Sequence, residues 1–182
     1  MTLFRESGAL LEGHFRLSSG LHSAGYLQCA LVLQHPAHAE ALGRALAGAL
    51  SDVGATAVLS PALGGLIIGH EVARALGVRA IFAERQDGVL TLRRGFRLDA
   101  TDRVVVVEDV VTTGGSTRET MEVARKAGAA VVAAGAVIDR SGGTSDLGVP
   151  FHALVTFTLA TYPPESCPLC AAGAPIMKPG SR

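Results

Sequence analysis

The segment from Glu108 to Ser116 has the residue types needed to bind a sugar phosphate. It begins with two adjacent carboxylates, Glu108 and Asp109, and continues through two threonines, two glycines and a serine. Glycines let a backbone approach a ligand closely, and hydroxyls together with the free amides of a helix N-terminus bind phosphate. Carboxylates repel phosphate, so we expect this pair to face sugar hydroxyls or a magnesium ion. The combination predicts a site for a ribose phosphate.

Other glycine-rich sites do not fit the same residues. No lysine follows the glycines, which excludes a Walker A loop, and the stretch from Gly114 to Arg118 lacks the final glycine of a hydrolase nucleophile elbow. The pattern is also not a dinucleotide-binding fingerprint. Helix capping alone would not require two carboxylates as well as two threonines, so phosphate binding is favoured.

Alternating strand and helix patterns must position this segment. The run Val104–Val107 predicts a strand buried on both faces, and Ser116 with Glu119 predicts a capping box that opens the next helix. The other predicted helices and strands are Pro36–Leu50, Ala55–Leu59, Leu66–Leu76, Val78–Phe82 and Ala130–Ile138. This alternation indicates right-handed βαβ units, and therefore an α/β fold with a parallel sheet covered by helices on both faces. Ligands bind at the carboxyl ends of strands in such sheets.

Length and charge limit the class of protein. The chain has 182 residues, with 16 basic and 16 acidic side chains and no net charge. We expect one domain over residues 1–182, with a core over about 36–150 and a small cap from about 1–33 and 154–182. A neutral chain lacks the attraction that nucleic-acid-binding proteins use. The absence of a long apolar span or a secretion signal predicts a cytoplasmic protein without a membrane partner.

Cys167 and Cys170 have the spacing of half a zinc site. A structural zinc site needs four ligands, which a second such pair usually completes. Neither Cys29 nor any of the six histidines forms a partner motif. The sequence therefore favours a thiol pair without a metal, and three cysteines in total fit a reducing compartment.

The acidic pair and the Thr/Gly/Ser loop after an apolar strand resemble the motif by which type I phosphoribosyltransferases bind phosphoribosyl pyrophosphate (PRPP). The resemblance covers nearly the whole chain and is closest to the orotate phosphoribosyltransferases. The segments that carry it are Gly13–Gly20 with Ser23 and Tyr26, Ser60–Gly65, Asp139-Arg140, Cys167–Cys170 and Lys178–Arg182, the last two resembling a bacterial subgroup.

This resemblance implies roles for individual residues. Glu108 and Asp109 would bind the ribose hydroxyls, and the loop after them would bind the 5′-phosphate. The implied PRPP site comprises Arg85, Glu108, Asp109, Val110, Val111, Thr112, Thr113, Gly114, Gly115 and Ser116. The implied pyrophosphate loop, which in the family often contains a cis peptide, comprises Ala62, Leu63, Gly64 and Gly65. The implied orotate site comprises Tyr26, Thr112 and Arg140.

Arg140 suits its implied role, because a guanidinium can hold a carboxylate with two parallel hydrogen bonds. Orotate differs from uracil by that carboxylate.

The sequence departs from many family members in its cations. Those members have lysines at the positions of Ser18 and Gly64 and in a mobile loop, which here would be Glu84–Leu98. That loop instead contains arginines, of which Arg93 and Arg94 are implied with Asp109 to be catalytic. Arginine stays protonated, so it can neutralise a departing pyrophosphate but cannot shuttle a proton.

The implied activity is Mg²⁺-dependent transfer of ribose 5-phosphate from PRPP to orotate, in pyrimidine biosynthesis, by a homodimer that shares the mobile loop across its interface. One alternative is a phosphoribosyltransferase for another base, which would not need Arg140. Another is a PRPP-sensing regulator on the same fold, and the scarcity of basic clusters counts against it.

Overall fold

The computed structural model describes residues 2–17 and 19–178, which divide into two compact units. The larger unit spans His35–Phe157, and the smaller one combines Met1–Gln34 with Thr158–Arg182. Ser18 and the tail 179–182, which belong to two of the motifs above, lie outside the described residues. That both units form one domain stays a prediction.

The elements follow one another in chain order along both units. They are α1 (Thr2–Glu6), β1 (Leu10–Arg16), β2 (His22–Leu27), α2 (Cys29–Leu33), α3 (Pro36–Ala49), β3 (Ala57–Pro61), α4 (Gly65–Leu76), β4 (Arg79–Gln86), β5 (Val89–Leu92), β6 (Arg103–Val111), α5 (Gly115–Lys126), β7 (Ala130–Asp139), β8 (Phe151–Thr156), β9 (Thr161–Tyr162), α6 (Pro168–Ala171) and β10 (Ile176–Met177). Among the described residues, no helix has the length and apolar character needed to cross a membrane.

The larger unit is built on a six-stranded sheet in the order β5-β4-β3-β6-β7-β8, parallel except for β5. Alternate residues of β3 face opposite sides of this sheet. Ala57 and Leu59 pack in one core with Met121 of α5, whereas Val58 lies on the side of Gly69 in α4. Helices therefore cover both faces, which confirms the predicted α/β fold.

The sheet is longer than the sequence predicted at two points. Strand β6 runs to Val111, so Glu108 and Asp109 lie within the strand rather than after it. Strand β8 extends the sheet to Thr156, so residues 154–156 belong to the larger unit and not to a cap. Because β8 is only half-buried at the sheet edge, its sequence lacks the run of buried valines that identified β6.

The segment Glu84–Leu98, which the resemblance implies to be a mobile loop, contains a β-hairpin. Strand β4 continues to Gln86, and the chain turns through Asp87 and Gly88 into the antiparallel β5. Both turn residues have positive φ, 51° and 83°, as in the type I′ turns that Asp-Gly favours. The Asp-Gly pair was the sequence signal for this hairpin.

The smaller unit contains a four-stranded sheet in the order β10-β1-β2-β9. Strands β1 and β2 form a hairpin, and each pairs on its outer edge with a two-residue strand from the C-terminal segment. His14 on β1 and His22 on β2 lie beside Cys167 and Cys170. The sequence showed only the Cys-x-x-Cys half of this cluster, because the pairing of distant strands brings the two histidines to it.

Candidate active site

The two carboxylates at the end of β6 are half-buried and held by neighbouring donors. Glu108 Oε2 accepts a hydrogen bond of 2.7 Å from the Thr117 hydroxyl. Burial raises the pKa of Glu108 despite that bond, and burial also raises the pKa of Asp109, whose Oδ1 accepts from the Val110 amide at 2.9 Å. The charged form of a partly desolvated carboxylate is stabilised by hydroxyl donors or by a cation. The pair can therefore serve as an acceptor for sugar hydroxyls.

The loop after β6 leads into α5 without a side-chain cap. Helix α5 begins at Gly115, and its N-cap is Gly114 in a left-handed conformation with φ of 74°. The predicted capping box is wrong, because the Glu119 carboxylate instead accepts hydrogen bonds from Arg85 and from the Leu90 amide. The first amides of α5 consequently have no side-chain cap, and such amides with the helix dipole attract an anion.

Three side chains outside the predicted site support this loop. Arg118 donates to the carbonyls of Thr113 and Asp146, and the Ser145 hydroxyl donates to the Thr112 carbonyl at 3.3 Å. Thr117 binds Glu108 as described above. Sequence reasoning missed these residues because each one acts through the backbone or through another side chain. The resulting cleft of about 50 Å³ is lined by Glu108, Val110, Val111, Thr112, Thr113, Gly114, Gly115, Ser116 and Thr117.

Arg140 lies beside this loop. Its backbone amide donates a hydrogen bond of 2.7 Å to the carbonyl of Val111, the residue before Thr112. The preceding residue, Asp139, is buried, and its carboxylate accepts from the amides of Ser141 and Gly143 at 2.8 and 2.9 Å. The backbone at Arg140 is therefore fixed on both sides.

The turn between β3 and α4 reaches the same carboxylates. The Ala62–Leu63 peptide bond is cis, in agreement with the resemblance, and the Ala62 amide donates to the Ala83 carbonyl at 2.8 Å. Leu63 is 83% exposed, an uncommon position for a large apolar side chain. A Cβ on Gly64 would lie 2.7 Å from Asp109 Oδ1, so the predicted pyrophosphate loop and the acidic pair are neighbours.

The three candidate arginines differ in their partners. Arg85 forms a bidentate ion pair with Glu119, and Arg94 forms a second bidentate ion pair with Glu84. These guanidinium groups lower the pKa of Glu119 and of Glu84. Arg93 is exposed, and its side chain makes no hydrogen bond to the described residues. Of these three arginines, only Arg93 has a guanidinium group that is not hydrogen-bonded to a carboxylate of the described residues.

Tyr26, the remaining predicted residue, lies on β2 of the smaller unit. Its half-buried ring is 5.9 Å from that of Phe15, measured between centroids. Its place in a base pocket stays a prediction.

Comparisons with known proteins extend these observations. Residues 30–150 match the family model of the phosphoribosyl transferase domain. The chain is 56% identical to the orotate phosphoribosyltransferase of Pelotomaculum thermopropionicum, with 100% of this chain and 96% of the relative covered. It is also 56% identical to that of Carboxydothermus hydrogenoformans, with 99% and 95% covered. The crystal structure of orotate phosphoribosyltransferase from Aeropyrum pernix shares 28% identity and a TM-score of 0.72, over 86% of this chain and 92% of that one.

Proposed function

The chain belongs to the orotate phosphoribosyltransferases, within the phosphoribosyl transferase domain family, and we propose that its acidic pair, loop 112–116 and Arg140 carry out their reaction. That reaction transfers ribose 5-phosphate from PRPP to N1 of orotate, forming orotidine 5′-phosphate and pyrophosphate. The bond from C1 of the ribose to the pyrophosphate oxygen breaks, and a bond from C1 to N1 forms. The free cysteines fit a cytoplasmic location for this activity.

Loop 112–116 binds the 5′-phosphate in this proposal. Support comes from the uncapped start of α5, since Thr112, Thr113 and Ser116 line the cleft there and the first helical amides have no side-chain cap. Arg118 contributes by donating a hydrogen bond to the Thr113 carbonyl, which fixes the backbone of the loop. The loop thus fixes one end of the substrate.

Glu108 and Asp109 bind the ribose hydroxyls. Their half-buried oxygens retain acceptor capacity beyond the bonds from Thr117 and Val110. Hard oxygen donors of this kind also fit Mg²⁺ carried by PRPP, which would be held through the substrate near these two residues. When bound, Mg²⁺ neutralises charge on the pyrophosphate.

The leaving pyrophosphate is bound by the loop 62–65 and by arginines of the β4–β5 region. Departure of pyrophosphate leaves cationic character at C1, so the protein must orient both anions and stabilise separated charge. The closeness of Gly64 to Asp109, where an added Cβ would lie 2.7 Å from Oδ1, supports a leaving-group site next to the ribose. Arg93 supplies positive charge there, while Arg85 and Arg94 are paired with carboxylates.

Orotate is recognised through its carboxylate by Arg140, next to Thr112 of the phosphate loop. The backbone bond from Arg140 to Val111 supports this assignment, since it fixes the arginine next to the phosphate loop. Orotate can supply an anionic nitrogen, so the reaction does not require a strong protein base.

The main support for this proposal is that the acidic pair lies next to the start of α5, which has no side-chain cap. The test is the PRPP- and Mg²⁺-dependent loss of orotate ultraviolet absorbance with purified protein, beside parallel reactions with uracil, adenine and hypoxanthine. Turnover of orotate alone is expected. The variant Asp109→Asn, which keeps the side-chain shape, should lose most of this activity. Full activity of that variant would contradict the role of the pair.

We also propose a homodimer in which the β4–β5 region of one subunit serves the site of the other. The test mixes Arg93→Ala with Asp109→Asn after unfolding and refolding them together. One site in each mixed dimer would be intact, so about a quarter of the wild-type activity should return. No recovery in mixed dimers, with a dimer mass in sedimentation, would overturn the shared site.

A further inference from the structure

Two histidines and two cysteines of the smaller unit converge on one point. His14, His22 and Cys167 are buried and Cys170 is half-buried, and their ligand atoms all lie within 4.8 Å of one another. These residues take no part in the reaction proposed above. Two imidazole nitrogens and two sulfurs form the donor set of a structural zinc site.

Four of the six distances between the donor atoms are close to the edges of a tetrahedron around one ion, and all six are within 4.8 Å. Zn–N and Zn–S bonds imply edges of about 3.3 Å between nitrogens and about 3.5 Å between nitrogen and sulfur. His14 Nε2 is 2.9 Å from His22 Nδ1, 3.6 Å from Cys167 Sγ and 3.7 Å from Cys170 Sγ. Cys170 Sγ is 3.2 Å from His22 Nδ1. Small shifts would bring all four atoms to bonding distance of a central ion.

A hydrogen bond to the backbone orients the His14 ring in the way that ligating histidines require. His14 Nδ1 lies 2.9 Å from the carbonyl of Ala174, which can only accept, so Nδ1 carries the proton. The Nε2 lone pair then points at the cluster. Ligating histidines commonly use their second nitrogen in this way, which fixes the tautomer and the ring orientation.

The backbone holds both halves of the cluster in register. His14 pairs with Ile176 of β10, and His22 pairs with Tyr162 of β9, so the strands that flank the cysteine pair are joined to the strands that carry the histidines. Cys167 precedes the short helix α6, and its carbonyl accepts from the Ala171 amide. This turn directs both sulfurs of the Cys-x-x-Cys segment towards the hairpin.

We infer that His14, His22, Cys167 and Cys170 bind one Zn²⁺ ion in a closed, structural site. Nitrogen and thiolate donors select zinc over the hard cation Mg²⁺, and four protein ligands leave no position for a substrate. Each cysteine binds as the thiolate, so two thiol protons leave for solvent when the ion binds. The ion joins the N-terminal hairpin to the C-terminal segment, whose strands β9 and β10 have only two residues each.

Metal analysis of the full-length protein tests this inference. Protein purified without chelator should contain about one zinc per chain. After removal of zinc, Co²⁺ should produce the intense absorption of a tetrahedral site together with sulfur-to-cobalt charge-transfer bands. The site would be overturned if the protein contained no more zinc than the buffer after dialysis with Zn²⁺ and removal of the excess. A cobalt spectrum without thiolate bands would also overturn it. A Cys167–Cys170 disulfide in protein purified without a reducing agent and without loss of zinc-binding conditions would do the same.

Variants separate metal binding from simple packing. Cys170→Ala should lose the zinc, whereas Cys29→Ala, which removes a thiol outside the cluster, should keep about one per chain. His22→Cys should also keep it, because a cysteine sulfur can occupy nearly the position of Nδ1, while His22→Ala should not. Equal zinc in Cys170→Ala and wild type would refute the assignment. If Cys170→Ala fails to fold, the cobalt spectrum of the wild type and the zinc content of His22→Cys decide the question.

Discussion

A methyl group on Gly64 would lie 2.7 Å from Oδ1 of Asp109, closer than the two atoms can approach. A Cβ at this position would therefore require the Asp109 carboxylate to shift from the place it has in this chain. We expect Gly64→Ala to displace the Asp109 carboxylate and lower kcat/KM by about tenfold to a hundredfold, since small misplacements at a reacting centre are costly. Steady-state kinetics with PRPP and orotate measures this.

The matched control is Gly48→Ala in α3, where a Cβ would meet nothing within 4 Å. That variant should keep wild-type kinetics. Equal kinetics for Gly64→Ala and wild type would show that Asp109 can move without consequence.

Removal of the Arg140 side chain should affect one substrate only. Arg140→Ala keeps the backbone bond to Val111, so loop 112–116 should be retained while the two-pronged contact with the orotate carboxylate is lost. We expect the KM for orotate to rise by roughly tenfold or more, with little change for PRPP. Arg140→Lys should recover only part of the loss, because lysine lacks the planar fork. A similar rise for both substrates would argue against carboxylate recognition.

Arg93 and Arg94 should differ in their effect on turnover. The Arg94 guanidinium is bound to Glu84, whereas Arg93 makes no such bond among the described residues. Arg93→Ala should reduce kcat by about tenfold or more with a modest rise in the KM for PRPP, and Arg94→Ala should reduce it less. Arg44→Ala, an exposed arginine of α3, serves as the charge-matched control. Unchanged turnover in both loop variants would remove them from the reaction.

Arg118 should act on PRPP binding through the loop. Arg118→Ala removes the bonds to the Thr113 and Asp146 carbonyls, so the phosphate loop should loosen and the KM for PRPP should rise by about tenfold. The KM for orotate should stay near that of the wild type, which separates a positioning role from general loss of structure. Arg125→Ala, on the same helix, should change neither constant. An equal rise in both constants for Arg118→Ala would refute this role.

Asp102 should make stability depend on pH. The Arg79 guanidinium lowers the pKa of the buried Asp102 carboxyl, which also accepts from Thr56 and from the Asp99 amide. A depressed pKa stabilises the fold above the unfolded value of about 3.9, and this contribution is lost as the pH falls through the folded value.

Asp102→Asn should therefore cost about 1–2 kcal/mol of unfolding free energy at pH 7. The difference in unfolding free energy between Asp102→Asn and wild type should decrease below about pH 4. Urea unfolding at several pH values measures both, with the exposed Asp52→Asn as control. A difference in unfolding free energy that does not vary with pH would show that the charge of Asp102 does not contribute to stability.

The sequence predicted most of what depends on local patterns. The buried valine run identified β6, and the predicted helix Leu66–Leu76 ends at Leu76 as expected, before Gly77 in a left-handed conformation. These features follow from periodicity and backbone preference within a few residues.

What depends on distant partners could not be predicted in the same way. Glu119 looked like half of a capping box until Arg85, 34 residues away in sequence, was found to bind it. The cluster of His14, His22, Cys167 and Cys170 needs strand pairing between the two ends of the chain. Patterns within one segment carry no information on such contacts.

The smaller unit is split in the chain, with residues 35–157 inserted between its two parts. During synthesis, the hairpin β1–β2 leaves the ribosome long before β9, β10 and the cysteine pair exist. The whole six-stranded sheet can therefore fold first, while the outer edges of the β1–β2 hairpin are still unpaired. Premature termination before residue 160 would leave those edges exposed, and we expect such truncated chains to be substrates for chaperones and proteases.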